Sequence, residues 1–241
     1  MLRKLLIAAL LALVPVAPAH AQGVRTLLMP GVSYSKQVEF TTHGPVAFHV
    51  VNAPRPGGLY ALKPVLSNNA IVGRERVTSM QRSVSTTATV AGVNGDLFAW
   101  ADGRPSGMLM RSGVLDSPPH ADRSSVGING DGALRVERVA FTGMWRGAGQ
   151  RRLLRLNQPP AANGVSIFTP SWGPATPAGA GAVEAVLSPF PPATPNTDHF
   201  GTVVQIGETN GGTRIPPNGA VIVARGTGAA RLAAEAPLGT S

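Results

Sequence analysis

At 241 residues and without a single cysteine, the chain is long enough for a sizeable core but cannot hold it with disulfides. Thiolate catalysis and cysteine-based metal sites are excluded on the same ground. Only 14% of the residues are charged, while 29 glycines and 22 prolines favour many short strands joined by turns over long helices. The formal charge of +9 sits on scattered arginines that are not interleaved with aromatics, which make up 5% of the chain, so no nucleic-acid partner is expected.

The N-terminus reads as a cleavable secretory signal over residues 1–21. Arg3 and Lys4 form a basic start, Leu5 to Ala17 an apolar stretch, and Ala19-His20-Ala21 the small-residue pattern before cleavage. The apolar run is shorter than the roughly 20 residues a membrane span needs, and Pro15 and Pro18 break its end. Residues 22–241 are therefore expected outside the cytoplasm, secreted or in the cell envelope, with no stable membrane insertion. Removing Arg3 and Lys4 lowers the net charge by two, to +7, and leaves Lys36 and Lys63 as the only lysines. The arginine excess suits forked binding of phosphate or carboxylate oxygens, and equally a coding bias.

Val32 to Phe40 and Val46 to Val51 read as strands around a turn at His43-Gly44-Pro45. Between Arg74 and Thr86, Val77, Met80 and Val84 fall at three- and four-residue spacing, predicting a short amphipathic helix. Thr89-Val90-Ala91-Gly92-Val93 reads as a buried strand running into Asn94-Gly95-Asp96. A hairpin is predicted from Met108 to Leu115 about Ser112-Gly113, and a second from Ser125–Ile128 to Ala133–Phe141 about Asn129-Gly130-Asp131-Gly132. Further strands are predicted at Val165–Phe168, Val183–Leu187, Thr202–Ile206 and Ala220–Ala224, with a turn and a helical turn over Gly226–Ala234. Pro170 to Pro195 reads as a long surface loop interrupted by one strand. The expected fold is α+β: one β-rich domain of mixed and antiparallel sheets with few short helices. No polar tail precedes Ser241, so the domain is expected to be C-terminally incomplete.

Several chemical motifs fail on context. Ser33-Tyr34-Ser35-Lys36 has the Ser-x-x-Lys spacing of β-lactamases but lies in a strand-like stretch, with no Lys-Thr-Gly after it. Gly103-Arg104-Pro105-Ser106-Gly107 has its serine in the wrong place for a nucleophile elbow. His43, His49, His120 and His199 are not paired at metal-ligand spacing, so no metal is expected. Gly226-Thr227-Gly228 lacks the third glycine of a dinucleotide loop.

Asn-Gly-Asp occurs twice. At Asn129 hairpin-turn chemistry explains it; at Asn94 it delivers polar side chains from the end of a strand, where they can face a pocket or make another turn. Around this second copy, Val93-Asn94-Gly95-Asp96-Leu97-Phe98 resembles the Asn-Gly-x-Phe-Phe signature of the phosphodiester glycosidase family, which includes the lysosomal uncovering enzyme. Other segments resemble that family in the same order: Pro30-Gly31-Val32-Ser33-Tyr34, Gly44 to Val51, Pro105-Ser106-Gly107, Ser112-Gly113-Val114-Leu115, Arg123-Ser124-Ser125-Val126-Gly127, Leu156-Asn157 and Phe168-Thr169-Pro170. The resemblance spans roughly residues 24 to 235. Asn52 stands where many relatives have aspartate, Leu97 replaces a phenylalanine, and the family's later Asp-Gly-Gly-Gly-Ser element would lie past Ser241.

The resemblance implies hydrolysis of a sugar-1-phosphodiester on a phosphorylated glycan, without a cofactor. Such chemistry needs a carboxylate at the anomeric carbon, as nucleophile, base or stabiliser of an oxocarbenium-like state, and cations or N–H groups on the phosphate. Asp96 is the candidate carboxylate, Asn94 its positioning neighbour and Arg123 the phosphate clamp. Gly95, Ser106 and Gly107 are candidate substrate-loop residues, Glu75 and Arg76 weaker ones, and Asn157 is read as a turn residue as much as a site residue. The competing expectation is a non-catalytic cell-envelope module that binds or scaffolds anionic glycans.

Overall fold

A computed structural model of the chain describes residues 24–84, 91–120 and 122–241. The signal segment read at residues 1–21 lies outside the described residues, as do Thr89 and Val90 of the expected strand before Asn94. The chain divides into two compact units, one ending at Pro54 and one beginning at Arg55, where a single domain was expected.

The first unit is an antiparallel meander of β1 (Val24–Met29), β2 (Val32–Thr41) and β3 (Gly44–Asn52). Gly31, at φ 79°, makes the first turn where a side chain would be strained. Strand alternation puts Ser33 and Lys36 on opposite faces of β2, so the Ser-x-x-Lys spacing joins nothing.

The second unit opens with a 3₁₀ turn at Ser67–Asn69 and α1 (Val77–Val84). Two hairpins follow, β4 (Leu109–Arg111) with β5 (Val114–Ser117) and β6 (Ser124–Ile128) with β7 (Leu134–Arg138). The remaining strands are β8 (Gly143–Trp145), β9 (Arg152–Leu156), β10 (Val165–Phe168), β11 (Ala182–Leu187), β12 (Val203–Thr209) and β13 (Ala220–Arg225), before α2 (Thr227–Glu235). They form one sheet in the order β12-β11-β13-β10-β9-β8, antiparallel except where β9 meets β10.

The sequence of β13 explains why it lies inside this sheet. Ala220-Val221-Ile222-Val223-Ala224 is apolar at every position, as a strand covered on both faces requires. Ala220, Ile222 and Ala224 join Ile167, Leu187 and Leu232 of α2 in one core cluster. Val221 and Val223 turn the other way, to Phe168, Trp172, Ile71 and Ile215. Loops rather than a helix cover this second face: Ile71 N–H donates to Ser171 O at 2.7 Å and Val72 N–H to Trp172 O at 3.3 Å. The segment from Pro170 thus departs from the expected surface loop, because Trp172 and Thr176 are buried there.

Other expectations change in detail. Ala91 to Val93, the described part of the expected buried strand, are irregular and exposed, with Val93 at 85%. Two glycines within Ala91–Gly95 disfavour a strand, and Gly92 closes on α1 instead, where an added Cβ would lie 2.9 Å from Val77 Cγ1. The 42–43 turn leaves Gly44 and Pro45 inside β3, where Pro45 faces Phe40. β7 stops at Arg138, short of Phe141, and the helical turn expected within Gly226–Ala234 is the longer helix α2. β1, β8 and β9 were not predicted; β8 is three residues long and Arg-Leu-Leu-Arg-Leu in β9 does not alternate. Among the described residues, no helix is long and apolar enough to cross a membrane.

Candidate functional site

The segment that begins at Asn94 folds back on itself as a short ribbon. Ser106 N–H donates to Leu97 O and Ala99 N–H to Arg104 O, both at 2.8 Å, and Phe98 faces Pro105 in a single β-bridge. Its tip is pinned where Gly73 N–H donates to Asp102 O at 2.8 Å, and Gly103, at φ 83°, is pressed so closely on Gly73 O that a Cβ would collide. Alternation then sorts the side chains. Leu97 and Ala99 border a cavity of about 430 Å³, while Phe98 and Trp100 pack on each other with ring centroids 5.3 Å apart.

The cavity brings together parts of the chain far apart in sequence. Arg104, Pro105 and Ser106 come from the returning arm of the ribbon, Ser117 and His120 from the end of β5 and beyond, and Arg123 from the approach to β6. Asn157 and Gln158 follow β9. Two cations, two hydroxyls and two amides thus share one concave wall, with Ile71 and Leu97 supplying apolar surface. Such a wall sets cationic and neutral hydrogen-bonding groups side by side. Arg104 is steadied by Asp102 at 2.6 Å and lies over the Trp172 ring at 5.9 Å.

A buried polar network braces the wall. Asp116 is 1% exposed and takes Arg111 Nε at 2.5 Å on one oxygen and the Ser171 hydroxyl on the other. Arg111 reaches on to the Asn69 side chain. Asn157, at φ 47° and 2% exposed, donates to Asp116 O at 2.8 Å and to Thr169 Oγ1 at 2.9 Å, and accepts from Thr169 N–H at 2.9 Å. Asparagine tolerates this left-handed backbone better than most residues, and its amide ties β5 to the residue that follows β10. Ser117 Oγ donates to Gly107 O at 3.0 Å, tying β5 to the ribbon.

The structure brings Asp96 and Arg123 together, 27 residues apart in sequence, in an ion pair of 2.6 Å. Asp96 Oδ1 also accepts from Leu97 N–H at 2.7 Å. Gly107 lies against the other carboxylate oxygen so closely that a Cβ would collide with it. Arg123 is on the cavity wall, as is Ser106; Asp96 is not among the wall residues. Asn94 and Gly95 are exposed and irregular, again off the wall. Glu75 is drawn elsewhere, accepting from Asn68 N–H at 2.9 Å, and Arg76 is exposed, its carbonyl receiving the amides of Ser79 and Met80 at the start of α1. The sequence reading passed over Arg104, Ser117 and Gln158 and weighed His120 only as a metal ligand. A cation beside Pro-Ser-Gly was the one available signal. A second concavity, about 480 Å³ beside Val186, Gln205, Thr213 and Arg214, contains none of the predicted residues.

No protein-family model matches the sequence. No curated protein matches it either. Among solved structures, the crystal structure of a hypothetical protein from Synechocystis aligns with a TM-score of 0.69 at 19% identity, over 92% of this chain and 40% of that one. At that identity the likeness is one of fold. The chain spans well under half the length of its structural neighbour.

Proposed function

We propose that the protein hydrolyses sugar-1-phosphodiesters of extracellular or cell-envelope glycans. The observation that supports this is the meeting of Asp96, Gly107 and Arg123 beside a cavity that also carries Arg104, His120, Ser106 and Ser117. Arginines and hydroxyls suit the phosphate and the sugar hydroxyls; the carboxylate suits the anomeric centre. In the reaction, a water oxygen bonds to the anomeric carbon and its proton passes to Asp96. The bond from that carbon to the phosphate oxygen breaks, its electron pair leaving with the phosphate. A phosphate monoester departs as an anion held by Arg123, so little proton donation is needed. The Asn-Gly-Asp turn and its order with Pro-Ser-Gly and Arg123, as in the phosphodiester glycosidase resemblance, supply the reaction class.

A second reading, a module that binds anionic glycans without cleaving them, is favoured by the engagement of Asp96 with Arg123 and its place off the wall. One experiment separates the two. Hydrolysis of a sugar-1-phosphodiester by the protein in its full natural length is compared for Asp96→Asn and Asp131→Asn. Asp131 sits in the β6–β7 turn, where its Oδ1 accepts from Ala133 N–H at 3.0 Å, and asparagine can take that role. The expected result is a loss of orders of magnitude for Asp96→Asn and near wild-type rates for Asp131→Asn. Equal effects would make Asp96 a turn residue; glycan binding with no hydrolysis by the wild type would establish the module.

A further inference from the structure

We infer that the Asp96–Arg123 ion pair is a displaceable latch: a phosphate group entering the cavity takes Arg123 and thereby frees the Asp96 carboxylate from its ion pair. The inference rests on the proposed reading of this site and adds how its two charged groups take turns. Three observations carry it. Arg123 is on the wall and Asp96 is not, so the pair ties a guanidinium that a ligand can reach to a carboxylate set off the wall. Among the described residues the only side-chain bond of Arg123 runs from Nη2 to Asp96, so Nε and Nη1 present further donors to an anion. Asp96 is held independently of Arg123, by Leu97 N–H at 2.7 Å and by the close floor at Gly107, so it keeps its place when the guanidinium turns away.

Magnitudes favour exchange. The two side chains are 41% and 30% exposed, and a pair so open to water holds its partners by at most about fivefold, the equivalent of about 1 kcal/mol. A phosphate offers the guanidinium two parallel charge-assisted bonds, with Arg104 on the same wall, and outcompetes a single carboxylate contact. Glycine at 107 is then required, because a Cβ would displace the carboxylate.

The test uses inorganic phosphate as the probe, titrated calorimetrically at low salt into the wild type, Asp96→Asn and Arg123→Ala. The latch predicts about fivefold tighter phosphate binding by Asp96→Asn, because the competitor is gone, and loss of most affinity in Arg123→Ala. Unchanged or weaker binding by Asp96→Asn would show that Asp96 orients Arg123 rather than competing for it, and overturns the inference. So does full affinity in Arg123→Ala. A measurement without variants guards against misfolding: the Asp96 carboxylate carbon resonance of the wild type should move as phosphate saturates, and a fixed resonance at saturation overturns the latch. The failure of the proposed function looks different. A protein that never hydrolyses a phosphodiester yet shows the tighter Asp96→Asn complex keeps the latch and loses the enzyme. One that loses hydrolysis in Asp96→Asn with no gain in phosphate affinity keeps the enzyme and loses the latch.

Discussion

Asn157 shows how much a single side chain can hold. It leaves β9 at φ 47°, and its amide joins Asp116 O to Thr169 within the wall of the cavity. Asn157→Ala would leave a buried carbonyl and a buried N–H without partners and place a Cβ-bearing residue at positive φ without the local bonding that favours asparagine there. The expected cost is about 3 kcal/mol of stability, read by urea denaturation. A loss within about 0.5 kcal/mol would show that the network does not depend on it. From sequence alone this residue reads equally as a turn or a site, and the structure places it at positive φ on the wall of the cavity. The Asp96–Arg123 pair was legible only as two separate candidates, since nothing in a sequence brings together side chains 27 positions apart. Arg104 and Ser117 were missed for a related reason. Their place on the wall follows from the ribbon folding back and from β5, not from any local motif.

Elements were legible where their own pattern sufficed. β2, β3, β10, β11 and β13 carry apolar runs or alternation and appear close to where the pattern puts them. The segment before Asn94 misled because Val-Ala-Gly-Val looks β-prone, yet α1 is its neighbour and a ladder partner is lacking among the described residues. The sequence shows only a turn and a helical turn where α2 forms, because the start of α2 is unusual: Gly226, at φ 53°, sits against the Asn163 side chain, which accepts from Thr227 N–H at 3.1 Å. Its far end carries Glu235, a poor charge for a helix C-terminus, answered by Arg152 at 2.5 Å. The hydrogen bond from Arg152 is the largest influence on this carboxyl. Together with the attraction of Arg152 and Arg231 it outweighs partial burial and holds Glu235 below the usual carboxylate range. A depressed carboxyl stabilises the fold above its unfolded pKa and loses that contribution as pH falls through the folded value. Arg152 stays charged throughout and adds no pH window of its own. Glu235→Gln should therefore melt below the wild type at neutral pH, with the gap narrowing and closing under acid conditions. A gap in Tm that is flat with pH would assign the effect to packing alone.

At the scale of the whole molecule, order is unevenly distributed, and the sequence carries the reason. β13 is bonded to β10 on one side and β11 on the other and is buried on both faces, with Phe168 fully enclosed beside it. The β6–β7 hairpin pairs only with itself among the described residues and leaves Val126, Leu134 and Val136 at 72%, 59% and 68% exposure. A two-stranded ribbon with so little burial is marginal by itself. Amide hydrogen exchange should therefore divide the second unit. The amides of Val221 to Ala224 should exchange only with global unfolding, and those of Val126 and Val136 much faster through local opening. Phe168→Ala sharpens the test, because it empties a core position on one face of the sheet at a cost of about 3–5 kcal/mol. That cost should appear in full as lost protection in β13, since those amides report the global equilibrium, while the hairpin amides should keep their wild-type rates. Equal protection of β13 and the hairpin in the wild type would mean that the hairpin shares the cooperative core. Unchanged β13 protection in Phe168→Ala would mean that the sheet does not depend on the face that Phe168 fills.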